Sequence, residues 1–311
     1  MGRSLRRPVP LLVTLDLEVA PDHDLEEQRL VLPRLQEDLA RLGLPVTVFT
    51  TTPAAELFEG EVGALAAAGH EIACHGLDHG PADNYAHMPG EEVNRRLARA
   101  TAVLTRVVGT RPRCFRGPFM STSVPAQRAL MDQGYVADFS VCSGRLDVWG
   151  SRGGHPGWFT APRSSYHPHP LSPFRRGEEP LVVVPLRCVG VPFSSGTLFL
   201  AGLRATLALG ELLLAESRLT GAPLVFLFHS YELTSPVGVG REEGGSRPPT
   251  RPLHKFYRHS RPWRYRALMA LLQHLARGPG VVPMTGASYV KTLSTRAPVS
   301  MRPGKYPCIR P

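Results

Sequence analysis

His70-Glu71-Ile72-Ala73-Cys74-His75-Gly76-Leu77-Asp78-His79, set against Thr14-Leu15-Asp16-Leu17-Glu18 near the start of the chain, decides how the rest is read. Two histidines four apart, just past a short apolar strand, can turn two imidazoles toward one point. A carboxylate at the end of an earlier strand can complete the set. Two His and one carboxylate with a position left open suit a hydrolytic metal. Strand parity adds detail: Asp16 and Glu18 share one face while Leu15 and Leu17 take the other, and Cys74 points away from His75 toward a core.

The surrounding pattern supplies the setting. An apolar run at Val9–Leu17 is followed by a helical pattern that starts at Asp24, an N-cap, and stops at Gly43. Leu44–Thr50 is rich in β-branched residues, an alanine-rich helix closes near Gly69, and the strand Glu71–His75 comes next. A long helix runs from about Glu91 to Gly109, and short strands recur at Arg113–Gly117, Tyr135–Ser140, Leu181–Leu186, Leu224–His229 and Val281–Thr285. Strands alternating with helices predict a parallel sheet of βαβ units, and about seven to eight strands predict an α/β fold, a distorted (β/α) barrel. Asp16, His75, Arg116, Asp138 and His229 each fall at or just past the C-terminal end of a strand. In such a barrel that rim is where the βα loops gather reacting groups. Taken singly, each has a plainer reading as a solvated strand end, a loop arginine, a turn cap or a satisfied core histidine. His155, His167 and His169, set among Pro and Gly, read as surface loop histidines.

The ordered set resembles the polysaccharide deacetylase (NodB-homology, carbohydrate esterase family 4) superfamily. It runs from an acidic strand end through H-G-L-D-H, F-R-G-P-F and an aspartate after G-Y-V-A to L-V-F-L-F-H. The closer likeness is to a branch with T-x-D-x-E in place of T-F-D-D. D-F-S near Asp138, S-Y-H-P near Tyr166, V-P-F-S-S-G near Pro192 and H-S-Y-E-L at His229 are further branch-like features, and the resemblance spans roughly residues 8 to 290.

That resemblance implies a metal-dependent hydrolase removing an N-acetyl or N-formyl group from an amino sugar, glycan or glycoconjugate precursor. His75 and His79 match its metal-ligand histidines, Arg116 the arginine that orients a catalytic carboxylate, and His229 the general acid. Asp16 matches the family's first aspartate, usually the base, but the following metal-binding aspartate is replaced by Leu17. The expectation is therefore that Asp16 is the third ligand, with Glu18 as base or Asp16 serving both roles, and that Asp138 or another carboxylate holds His229 protonated. Zinc is the expected metal, with Co, Mn, Ni or Fe as other divalent candidates. Gly76 stands where the family usually has Ser or Thr, which removes one supporting hydrogen bond. The chemistry fits the residue types: a carboxylate can take a proton from water, and a protonated histidine opposite can return one to the leaving nitrogen.

Composition bounds the alternatives. The 311 residues are 42% hydrophobic and 20% charged, an ordinary globular balance. One barrel domain over residues 9–293, a disordered lead at 1–8 and a Pro/Arg-rich tail at 294–311 account for the length. Five widely spaced cysteines without any C-x-x-C imply neither a disulfide framework nor a zinc–cysteine site, so a reducing cytosol is expected. Leu198 to Ala215 is apolar but carries Arg204 and Glu211, which favours a barrel-packing helix over a membrane span. The formal charge of +10 is concentrated at Arg241, Arg247, Arg251, Lys255, Arg258, Arg261, Arg264 and Arg266. With no nucleic-acid module visible, a solvated loop, or a loop attracting an anionic substrate, outranks nucleic acid as the reading. Two other functions stay open: a metal-free amidohydrolase of this fold acting on a non-sugar amide, and a non-catalytic basic protein binding glycan or nucleic acid.

Overall fold

A computed structural model describes residues 7–146, 155–236 and 259–295. Most of the expected lead and tail, and the basic positions from Arg241 to Arg258, lie outside the described residues. The strands are β1 (Val9–Leu17), β2 (Val46–Thr50), β3 (Glu71–Cys74), β4 (Cys114–Phe115), β5 (Ala137–Asp138), β6 (Cys142–Arg145), β7 (Pro168–His169), β8 (Ser172–Arg176), β9 (Val182–Val183), β10 (Leu186–Pro192), β11 (Leu224–His229) and β12 (Val281–Pro283). The helices are α1 (Leu25–Arg41), α2 (Thr52–Leu57), α3 (Glu59–Ala67), α4 (Gly90–Val108), α5 (Val124–Asp132), α6 (Ser195–Thr220), α7 (Arg261–Ala276) and α8 (Gly286–Ser294).

The main sheet is parallel in the order β11-β1-β2-β3-β4-β5-β9, with β12 also on β1. It curls into the distorted barrel expected from the alternating pattern. All nine residues of β1 are buried, as a strand covered on both faces requires. β1 pairs with β11 from Leu11 to Asp16, with β12 from Val9 to Leu11, and with β2 from Val13 to Leu17. The short parallel pair β6–β10 and a single bridge from Ser194 to Leu227 carry the wall from β9 round toward β11.

Local chemistry sets the helix limits. Asp24 caps α1 by accepting from the Glu27 N–H at 3.0 Å. Gly109, at φ +75°, ends α4 in the left-handed conformation that Gly reaches without strain. The alanine-rich helix breaks at Phe58 into α2 and α3. The later strands are shorter than the sequence suggested. β4, β5 and β9 are two residues each, and the stretch 181–186 divides between β9 and the start of β10. α6 is the one described helix long and apolar enough to cross a membrane by length and composition. It packs here on β1, β10, β11 and α7, burying Leu198, Phe199, Leu213 and Leu214, in line with the barrel-packing reading.

Candidate active site

The strand ends expected to form the rim do converge. Asp16 pairs in register with His229 on the neighbouring strand, so the ends of β1 and β11 present a carboxylate and an imidazole side by side. Asp16 is buried, and Arg116 Nη1 donates to its Oδ1 at 2.5 Å. The same guanidinium donates through Nη2 to Thr14 Oγ1 at 3.0 Å and lies over the Phe49 ring at 4.2 Å. A fully buried arginine so tethered leaves Asp16 one rotamer. Its other oxygen, Oδ2, faces His75 Nε2 at 3.6 Å and His229 Nε2 at 3.9 Å.

Glu18, two residues on, reaches further. Its Oε1 lies 3.2 Å from His75 Nε2, 3.4 Å from His79 Nε2 and 3.9 Å from His229 Nε2. Among the described residues two groups could hold a metal, Glu18 with His75 and His79, and Asp16 with Glu18 and His229, whereas the sequence reading placed Asp16 with the two histidines. The extra methylene of Glu explains the exchange: from the same strand face its carboxylate extends between the imidazoles, while Arg116 holds Asp16 back.

The donor set fits a divalent ion. Ligand bonds of about 2.0–2.2 Å in a tetrahedron put ligand atoms about 3.3–3.5 Å apart, close to the two Glu18–imidazole spacings. His75 Nδ1 donates to the Arg116 carbonyl oxygen at 2.8 Å, which turns the Nε2 lone pair toward Glu18. A lone pair facing a carboxylate calls for a positive centre between them, either a metal or a proton. In protons, the same demand shows as a raised His75 pKa: burial lowers it, but Asp16 and Glu18 together prevail. Burial raises the Glu18 pKa, yet the bond from His75 and the charges of His79, His75 and His229 bring it down to about 2. Burial lowers that of His79.

The loop carrying His79 is held by a residue the sequence reading passed over. Asp83, fully buried, accepts from the N–H groups of Leu77, Asp78 and His79 through one oxygen at 2.8, 3.0 and 3.2 Å. Gly76 sits at φ +76°, and a Cβ there would stand 2.7 Å from both Asp83 Oδ2 and the Pro118 ring. The glycine in place of Ser or Thr is therefore what lets the loop close on Asp83. His79 itself has φ +58°, and its ring packs on Phe119 with centroids 4.4 Å apart. A non-glycine residue in that region is unusual and over-determined by its surroundings.

Across from this pair, the carboxylate beside His229 is Glu232 and not Asp138. Glu232 Oε2 lies 3.3 Å from His229 Nδ1 and accepts from the His229 backbone N–H at 3.2 Å. Ser195, at the start of α6, donates to the same oxygen, and Arg264 donates to the carbonyl oxygens of Glu232 and Thr234. Burial lowers the His229 pKa, but the Glu232 carboxylate outweighs it and raises the value to about 9. Asp138 is instead buried beneath the rim. It accepts from Thr122 and Gln127 on one oxygen and Ser140 on the other, and Ser140 Oγ accepts the Gly117 N–H at 2.8 Å. Asp138 thus braces the loop that presents Arg116, and of the two expectations, Asp138 or another carboxylate beside His229, the structure puts the other carboxylate, Glu232, there. The spacing H-S-Y-E, three residues along a tight turn, was the available signal. His155, His167 and His169 make local contacts, to Gly157 N, to the Glu179 and Leu181 carbonyls, and to Leu171 N.

A carboxylate–imidazole cluster on the rim of a curled parallel barrel defines the class, and the comparisons agree. Residues 23–137 match the polysaccharide deacetylase family. No curated protein matches the sequence. Among solved structures, the "putative polysaccharide deacetylase" of Mycobacterium smegmatis superposes with a TM-score of 0.63 at 16% identity, covering 98% of each chain. The "probable Polysaccharide deacetylase" of Pseudomonas aeruginosa PAO1 gives 0.59 at 18%, over 94% of this chain and 93% of that one. A Puue allantoinase gives 0.61 at 15%, over 96% and 94%. At these identities the structures show a shared fold. The family match over residues 23–137 agrees with the resemblance read from the motifs there, and the solved structures share the fold it implies.

Proposed function

We propose that this chain is a metal-dependent hydrolase that removes an acyl group, acetyl or formyl, from the nitrogen of an amino sugar, glycan or glycoconjugate precursor. The observation that carries the reading is the spacing of Glu18, His75 and His79 beside an Asp16 held by Arg116, with His229–Glu232 opposite. In this reading Glu18, His75 and His79 hold the metal, zinc by donor type with Co, Mn, Ni or Fe as other candidates. Bound there, the ion would polarise the acyl oxygen and acidify a water. Asp16, kept in one rotamer by Arg116, is the base, placed to accept a proton from an attacking water through Oδ2. His229, held charged by Glu232, gives a proton to the departing nitrogen. Asp16 and Glu18 thus exchange the roles expected from the sequence.

Metal content and turnover test this together. Wild type should carry about one metal per chain, and the double variant His75→Ala/His79→Ala none. Glu18→Gln should lose metal, whereas Asp16→Asn should keep it and lose turnover by about 10²–10⁴-fold. Metal retained in Glu18→Gln but lost in Asp16→Asn would return the ligand role to Asp16. Equal metal in wild type and the double histidine variant would sink the site.

One observation favours a second reading. The Glu18–histidine contacts also suit a carboxylate bonded to an imidazolium, and the fold is shared equally with an allantoinase, so a metal-free amidohydrolase of a non-sugar amide is the competing proposal. Hydrolysis of a cyclic ureide by metal-stripped protein would support it. For the basic patch, Arg261 pairs with Glu27 and Arg264 turns inward to backbone carbonyls, which takes both away from any polyanion. A reducing compartment fits the buried free thiols of Cys74, Cys114, Cys142 and Cys188.

A further inference from the structure

The outer face of α6 carries apolar side chains with no partner among the described residues. Past the break at Gly202, where φ is +82°, Ala205, Ala208, Leu212, Ala215 and Leu219 are all exposed. At about 100° per residue they fall within about 60° of Ala208, on one continuous stripe. The exposure is large, 55% at Leu212 and 86% at Leu219. Residues Thr206, Gly210, Leu213, Leu214 and Ser217 face the other way into the barrel wall. Contiguous apolar stripes of this kind mark contact surfaces.

We propose that this face of α6 is the contact surface of a two-fold homodimer, in which two copies of the helix pack antiparallel with Ala208 near the axis. The charges on the stripe select a second copy as the occupant. Arg204 and Glu211, both exposed, lie on the same edge of the stripe, one on each side of Ala208. Reversing the helix about the midpoint between Leu207 and Ala208 exchanges positions 204 and 211. Each Arg204 then meets the partner's Glu211, and the pairing is made twice, as an isologous interface requires. Glu211 Oε1 also contacts His274 Nε2 at 2.7 Å, which still leaves the glutamate 52% exposed. Alanines at 205, 208 and 215 let the two backbones approach closely, while Leu212 and Leu219 flank the axis. A lipid surface would bring Arg204 and Glu211, along the edge of the stripe, against apolar chains with no matching pair of charges, which disfavours it. The face lies on the outer wall of the barrel, so the rim with Asp16 and His229 stays open in the dimer.

Sedimentation of the full-length chain over a range of concentrations tests this. Wild type should sediment as a dimer, and Leu212→Glu as a monomer. Arg204→Glu should weaken association by about tenfold or more through like-charge contact, and Arg204→Glu/Glu211→Arg should restore it. Both charged positions are on the surface, so the reversal pair remains decisive even where Leu212→Glu fails to fold by circular dichroism. A wild type that is monomeric at every soluble concentration would overturn the proposal. So would a dimer indifferent to the charge reversals, or a monomer that floats with phosphatidylglycerol vesicles through Leu212.

Discussion

The pair His229–Glu232 shows how much of the site rests on single side chains. Because the His229 pKa is raised to about 9 by the Glu232 carboxylate, its charge contributes stability that is fully present below about 6.5 and lost as pH rises through about 9. Urea unfolding of metal-free protein should follow that window, and Glu232→Gln should flatten it. In the active enzyme, Glu232→Gln should move the basic limb of the pH–rate profile to lower pH, since less of His229 is charged; an unmoved limb would assign that limb to another group. Gly76 offers a second test. Gly76→Ala forces φ +76° on a residue with a Cβ and drives it against Asp83 and Pro118. Backbone strain alone should cost about 1–3 kcal/mol, read as a drop in urea midpoint at unchanged slope. At this scale the sequence was partly legible. It put Asp16, His75, Arg116 and His229 on one rim, because strand ends are readable from apolar runs, and set His79 beside them by its spacing from His75. It did not separate Asp16 from Glu18, because parity puts both on one face and only side-chain length and the Arg116 contact distinguish them.

Loops between elements carried what was not legible. The turn from β3 to α4 depends on Asp83, which sits in no motif and acts by gathering three N–H groups, with Arg96 Nη1 3.5 Å from its other oxygen. Asp83→Ala should leave the helices intact by circular dichroism while weakening metal affinity by about 10–100-fold, the range seen when groups supporting a ligand are removed. Unaltered affinity would mean that the His79 loop is held by Phe119 and the Pro118 turn instead. Long elements such as β1, α1 and α4 were readable because burial and capping impose a period and a stop. β4, β5 and β9 were placed, but their lengths were not legible. Each contributes only two ladder residues, and neighbouring groups are satisfied by side chains such as Ser140 on Gly117 N. Apolar runs of five or six residues around them reflect burial in the wall rather than strand length. Glu232 escaped for a related reason: it sits in a single 3₁₀ turn, too short to carry a period.

Across the whole molecule, the barrel core shields its thiols. Cys74, Cys114, Cys142 and Cys188 are buried, so native protein should protect all four from iodoacetamide until denaturant opens the sheet, as mapped by mass spectrometry. Early labelling of Cys142 or Cys188 would place the β6–β10 part of the wall in a separately opening unit. The alternation of strands and helices made the architecture legible from the start, whereas the way the wall closes through β6–β10 and one bridge was not, since a lone bridge leaves no pattern. The register of β1 carries a last implication. Its partners β11 and β12 come from the far end of the chain, so during synthesis β1 waits with one edge open while more than half the protein is made. A ribosome-bound chain released before β11 emerges would hold Asp16, Glu18, His75 and His79 but not His229, and an exposed apolar strand edge for chaperones to cover. Completion of the carboxylate–imidazole cluster and relief from aggregation then arrive in the same moment of translation, when β11 docks and brings His229 to Asp16.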